Sequence, residues 1–230
     1  MGAVETCEKK TFQEVFIEEN TLAKIDVNAQ DLYEAYIAGL HYAIETGKGS
    51  PLIEDDLQFY KEFGVPEHFK YLDLCFLLMK NGHIVTGVSS PADVSQYRRW
   101  IGVEYAMRDA VDKGAALQAY ETKSKLLPND PRESVTLPQL TVENFPLQVQ
   151  HRPLNAGMAL ERMLGLENVP TNFFNLDICV IYPQNQFMSV GTSQPAAPIR
   201  YLPYVNRDHA LALAMTNLLP MAIYQARNAL

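Results

Sequence analysis

Apolar residues recur at three- and four-residue spacing over 28–45, where Leu32, Ala35, Tyr36, Gly39, Leu40, Ala43 and Ile44 share one face. That spacing predicts an amphipathic helix, capped by Asn28 and ended by Gly47 and Gly49. A second helix is predicted over 54–63, with Glu54, Asp55 and Asp56 at its positive end and Gly64 closing it. A third is predicted over 66–80, its face made of Phe69, Leu72, Phe76 and Met79. Residues 83–88 read as a short strand or loop. Ser90-Pro91-Ala92-Asp93 combines a capping serine, a first-turn proline and an acid, so a fourth helix is predicted to run to about Lys113. Gly114 breaks it, and a further helix follows over 115–127. Residues 1–27 read as an irregular arm with one short strand at 14–17.

Beyond this the pattern changes. Pro128-Asn129-Asp130-Pro131 reads as a turn and marks a boundary. The prolines at 138 and 146 confine 135–149 to extended or edge segments. A short helix over 156–164 is capped by Asn155 and stopped by Gly165. Phe174, Leu176, Ile178, Val180 and Tyr182 alternate with Asn175, Asp177 and Cys179, the strongest strand pattern in the chain, and 187–191 is its expected partner. Three prolines hold 193–203 extended. Asn206 caps a last helix over 207–228, with a kink at Pro220. No segment recurs at an evident period, so no repeat architecture is expected. The fold class is α+β: a predominantly helical N-terminal part, then a strand-rich part and a C-terminal helix. The regions are an arm at 1–27, a helical part at 28–127 and an α+β part at 128–230, which together can form one continuous domain.

Length and composition are those of a globular chain: 230 residues, 47% apolar and 20% charged. No signal-peptide pattern and no long apolar run occurs, which predicts a cytoplasmic protein, or a virion component if the source is viral. Cys7, Cys75 and Cys179 are few and far apart, the usage of a reducing compartment rather than a disulfide framework. The net charge of −8 falls before residue 80, and every cation after Lys125 is arginine. Arginine suits planar, hydrogen-bonded pairing better than lysine, so the second half has less free surface than the first.

Candidate chemistry is sparse. Neither a P-loop nor a dinucleotide fingerprint occurs, and Gly87-Val88-Ser89-Ser90-Pro91 is not a nucleophile elbow. Cys75 sits among core residues, whereas Cys179 and Asp177 alternate outward on their strand. His41 and Glu45 have ligand spacing on one helical face without further ligands, so neither a metal site nor a cofactor is expected. Arg98, Arg99, Arg108, Lys123 and Lys125, interleaved with Tyr97, Trp100, Tyr105 and Tyr120, have the composition of a single-stranded nucleic-acid surface. The competing reading pairs Arg98 and Arg99 with Asp93, Glu104 or Asp109 on a helix surface. On the last helix Ala210, Leu211, Ala214, Leu218 and Ala222 form a stripe widened by Met215, Leu219 and Ile223. Leu211, Met215, Leu218 and Ile223 are the candidate oligomer contacts.

These features favour a non-enzymatic, self-assembling structural protein of the viral or phage coat or nucleocapsid type. Its partners would be other copies of itself, with single-stranded nucleic acid as a second partner and no membrane. The alternatives are a small hydrolase-type enzyme using scattered residues such as His41, Asp177 and His209, and a regulatory protein-binding module.

Overall fold

The computed structural model describes residues 10–126, 149–183, 188–195 and 201–228. In order, the elements are α1 (Phe12–Asn20), β1 (Thr21–Asn28), α2 (Ala29–Glu45), α3 (Pro51–Phe63), β2 (Asp73–Met79), β3 (Ile84–Ser89), α4 (Arg99–Leu126), β4 (Val149–Asn155), α5 (Ala156–Leu164), β5 (Asp177–Pro183), β6 (Ser189–Ser193) and α6 (Pro203–Asn228). The strands form two antiparallel three-stranded sheets, ordered β1-β2-β3 and β4-β5-β6. The chain is α+β, as its patterning predicts.

The two sheets belong to two copies of one β-α-β-β-α unit, contrary to the expectation that nothing repeats. From β2 onward each first-unit residue has its counterpart 104 positions later. Pro66, Phe69, Leu72, Asp73 and Cys75 correspond to Pro170, Phe173, Leu176, Asp177 and Cys179. The backbone agrees. Phe69 N–H donates to Pro66 O and Leu72 N–H to Phe69 O, just as Phe173 donates to Pro170 and Leu176 to Phe173. Asp73 lies opposite Ser89 in the first sheet, and Asp177 opposite Ser193 in the second. Asn28 and Asn155, each the last residue of a first strand, cap α2 and α5. Between first and second strands the first unit is longer because α2 has 17 residues against 9 in α5, and because α3 and its connections are inserted between α2 and β2.

Each unit seats its last helix on its sheet at a glycine. A Cβ on Gly87 would lie 1.9 Å from Ala106 O, and one on Gly191 would lie 1.9 Å from Ala210 O. Only a residue without a side chain lets α4 and α6 come that close. Under α4 lie Cys75, Leu77 and Val85, and under α6 lie Cys179 and Ile181. The opposite faces of both sheets share one large core with α2, α3 and α5, in which Phe76 meets Phe173 edge-on at 5.9 Å. Each large apolar side chain enclosed there stabilises the fold by about 2 kcal/mol. Arginine joins the units as well. Arg152 donates from Nε to Gly64 O at 3.1 Å and lies over the rings of Phe59, Phe63 and Tyr182.

β3 and β6 are edge strands, and their outward backbone groups are taken by side chains. Asp109 accepts from Val88 N–H at 2.8 Å, and Lys113 donates to Thr86 O at 3.1 Å. Gln194, from the second unit, accepts from Ile84 N–H at 2.9 Å. Asn217, the counterpart of Lys113, donates to Val190 O, the counterpart of Thr86 O, at 3.1 Å. A groove of about 520 Å³ lies between the two edges, walled by Leu117 of α4 and Leu213 of α6.

Several expectations are corrected. The segment 66–80 is a 3-10 turn (Glu67–Tyr71) followed by β2, not a helix. Every residue of β2 is buried, because helices cover both faces of the strand, and a short run apolar on both faces mimics a helical stripe. The strand expected at 14–17 is helix α1, closed by a capping box between Thr11 and Glu14. The arm at 1–27 also contains β1. Ser90 and Pro91 lie in a connection. Asp93 caps a 3-10 turn (Val94–Gln96), and α4 starts at Arg99 and continues through Gly114, where the ring of Phe16 packs 3.0 Å from the position a Cβ would take. Asn206 lies within α6, which starts at Pro203. The extended segments expected at 135–148 and the middle of 193–203 lie outside the described residues.

Candidate functional site

The most elaborate side-chain constellation is a clasp that occurs twice. In the first unit Asn28 Nδ2 donates to Asp73 Oδ1 at 3.1 Å, and the Tyr97 hydroxyl donates to Asp73 Oδ2 at 2.8 Å. In the second unit Asn155 Nδ2 donates to Asp177 Oδ1 at 3.4 Å, and the Tyr201 hydroxyl donates to the same oxygen at 3.0 Å. The clasp ties the end of the first strand, the start of the second and the approach to the last helix. Each asparagine also caps the following helix through its Oδ1. Burial raises the pKa of both aspartates, Asp177 to about 6, against the opposing effect of their tyrosine and asparagine donors. Burial likewise pushes both tyrosines up, with the neighbouring carboxylate adding to the effect.

The two clasps differ at one position. Gly102 leaves room for Asp73, since a Cβ there would lie 1.9 Å from Asp73 Oδ2. Its counterpart in the second unit is Asn206, with Arg207 following. Arg207 Nη1 donates to Asp56 Oδ1 at 2.6 Å, and Nη2 donates to the Tyr36 hydroxyl at 2.7 Å. Tyr36 in turn donates to Asp56 Oδ2. This buried cluster joins α6 to α2 and α3. Burial works against the charge on Arg207, but Tyr36 and Asp56 outweigh it and raise its pKa.

The residues singled out from sequence are placed as follows. Arg98 donates to the carbonyl of Tyr97, Arg99 reaches Asp31 at 3.3 Å, and Arg108 pairs with Glu104 and lies over the ring of Tyr105. Arg98 and Arg108 line a cleft of about 670 Å³ with Tyr97 and Tyr105. Lys123 and Lys125 fall on the last turns of α4, and their side chains are outside the described residues, as is that of Ile223. Met215 and Leu218 are buried against the second sheet with Leu211 packed beside them, so their apolar surface is covered within the chain. Asp177 does not point outward as alternation suggests. It is fully buried in its clasp, while His41 and His209 are exposed, and among the described residues no hydrogen bond joins either to it. Cys179 is buried too, and burial raises its thiol pKa to about 12. Burial raises that of Cys75 as well. Among the described residues no group of His, Cys, Asp or Glu is arranged to hold a metal ion, and no helix is long and apolar enough to cross a membrane.

Alternation missed a second feature, visible only once the units are aligned. Trp100 and Tyr204 are counterparts on the first turns of α4 and α6, and they are 70% and 58% exposed. Val94, Leu202 and Val205 are exposed as well.

The fold and these sites define an α+β protein of two tandem units, each closed by an Asn-Asp-Tyr clasp. Residues 31–126, which run from α2 to the end of α4 in the first unit, match the model of the Phage protein (N4 Gp49/phage Sf6 gene 66) family. The match covers 96 of the 230 residues and is a likeness to a phage protein family. None of the curated proteins and none of the solved structures matches the chain.

Proposed function

We propose that the protein is a non-enzymatic, self-assembling structural subunit of a phage, and that it meets other copies of itself through the first turns of α4 and α6. The observation behind this reading is the paired exposure of Trp100 and Tyr204. The clasp tyrosines three residues before them, Tyr97 and Tyr201, are fixed by hydrogen bonds that hold the fold. Trp100 and Tyr204 protrude and have no such part, yet a large aromatic ring stands at the same place in both units. Aromatic side chains are the residues most used as anchors in protein contacts. Two like patches on one chain suit a partner that presents the same pair, which is a second copy.

A second reading rests on the cleft lined by Arg98 and Arg108. These offer charge to a phosphate backbone there, and Tyr97 and Tyr105 offer rings to bases, the combination used for single-stranded nucleic acid. Size-exclusion chromatography with light scattering, on protein purified without nuclease and with the 260/280 nm ratio recorded, tests both. An assembly larger than 25.9 kDa that dissociates in the Trp100→Ala, Tyr204→Ala double variant supports the first reading. A raised ratio lost in Arg98→Ala, Arg108→Ala supports the second. A nucleic-acid-free monomer at all concentrations overturns both.

A further inference from the structure

The two units act as an internal comparison. What the first does without, the fold does not require, so polar groups present only in the second need another explanation. Asn206 and Arg207 are two such residues, and they join Asp177, whose first-unit counterpart Asp73 has both carboxylate oxygens engaged. Asp177 Oδ2, Asn206 Nδ2 and Arg207 Nε are buried and have no hydrogen-bond partner among the described residues. Asp177 is fully buried and Asn206 is 5% exposed. Their proximity follows from the fold. Asn206 stands where Gly102 stands in the first unit, and a Cβ at that place points at the clasp carboxylate. Its Oδ1 accepts from Ser193 Oγ at 3.4 Å, and Ser193 lies directly opposite Asp177 in the sheet. Arg207 is the next residue, and its charge acts on Asp177.

Asn206 also accounts for the way Asp177 is held. In the first unit the two donors engage different oxygens of Asp73. In the second both donate to Oδ1, and Oδ2 has no hydrogen-bond partner among the described residues. A buried polar atom left without a partner costs about 1–3 kcal/mol, and three together call for a shared ligand. Two of the groups donate and one accepts. The ligand must therefore accept two hydrogen bonds and donate one, and it must be small, since all three atoms are buried. Water has that pattern, and about three partners is the usual number for a buried water.

We propose that Asp177, Asn206 and Arg207 form a binding site for one internal water molecule, created in the second unit by the asparagine and arginine that replace Gly102 and Val103. The water accepts from Asn206 Nδ2 and Arg207 Nε and donates to Asp177 Oδ2. Because Arg207 also grips Asp56 and Tyr36, the water connects the second clasp to the first unit. The first clasp, with both Asp73 oxygens engaged, holds none at the corresponding place.

Two measurements on the full chain test this. A crystal structure at about 1.5 Å resolution should show one ordered water within hydrogen-bond distance of all three atoms, and none at the matching position beside Asp73. Oxygen-17 magnetic relaxation dispersion should lose one long-lived water in Asn206→Gly, which restores the first-unit residue and lets Asp177 turn so that Tyr201 meets Oδ2. A dry site in the wild-type crystal, the three atoms bonded directly to protein groups, or an unchanged dispersion in a folded Asn206→Gly variant each overturns the proposal. If that variant fails to fold, the wild-type crystal structure decides alone.

Discussion

Asp177 occupies the place of Asp73 in the second unit, but only one of its carboxylate oxygens accepts from the clasp, whereas both oxygens of Asp73 do. Folding buries Asp177 and raises its pKa to about 6. The ordinary carboxylate value is about 4. Between those values the folded chain binds more protons than the unfolded one, so the stabilising effect is complete below about pH 4 and is lost as pH rises through about 6. The difference is on the order of 3 kcal/mol. Asp177→Asn keeps an acceptor for Tyr201 and Asn155 but does not titrate. Urea unfolding from pH 4 to 8 should show a shallower loss of stability in this variant, the remaining slope combining the raised pKa of Asp73 with the opposing effect of His68 and His151, whose pKa values burial lowers. An unchanged slope would contradict the assignment.

Gly87 and Gly191 should be intolerant of any side chain. Alanine at either place drives a methyl group into the backbone of α4 or α6, and about 3 kcal/mol of stability should be lost. Gly47 has open space around it and a φ of +71°, so Gly47→Ala should cost only about 1 kcal/mol, from backbone strain alone. Chemical denaturation of the three variants separates steric collision from conformational strain.

The Arg207–Asp56 ion pair is nearly enclosed, with side chains 11% and 9% exposed. Arg207→Met leaves Asp56 charged and unpaired and should destabilise by about 3 kcal/mol. Adding Asp56→Asn should recover part of that loss, because the uncompensated charge is gone. A double-mutant cycle of unfolding free energies checks the coupling.

Replacing Trp100 and Tyr204 together by alanine should change the unfolding free energy by no more than about 0.5 kcal/mol, since both rings are exposed. Self-association, read by sedimentation equilibrium, should weaken at least tenfold. A destabilised double variant would instead assign the rings to the fold.

Much of the architecture was legible where each residue has one role. Asn155 capping, the face of α5 and the stop at Gly165 read directly, as did α2 after Asn28. β2 was misread as a helix because helices cover both its faces and erase the alternation. The repeat was present in the letters, as Pro66-x-x-Phe69-x-x-Leu72-Asp73-x-Cys75 and Pro170-x-x-Phe173-x-x-Leu176-Asp177-x-Cys179. It leaves no short period because the copies are 104 residues apart, and the longer α2 and inserted α3 break that spacing at Asn28 and Asn155. Asp177 and Cys179 looked outward because alternation assigns a face but does not say whether a helix covers it, and α6 does. The partnership of Arg207 with Asp56 and Tyr36 had no local signal, being made across more than half the chain, although an arginine-only second half did point to pairing of this kind.

The side-chain plugs on β3 and β6 bear on how copies of this chain can come together. An uncovered strand edge invites a neighbour's strand to add to it, which leads to open-ended, fibre-like stacking. Asp109, Lys113, Gln194 and Asn217 already occupy outward hydrogen-bonding groups on these two edges, so an incoming strand would have to displace them. Sheet extension is thereby disfavoured at these two edges, so the self-association proposed above would have to use other surfaces of the chain, such as the first turns of α4 and α6.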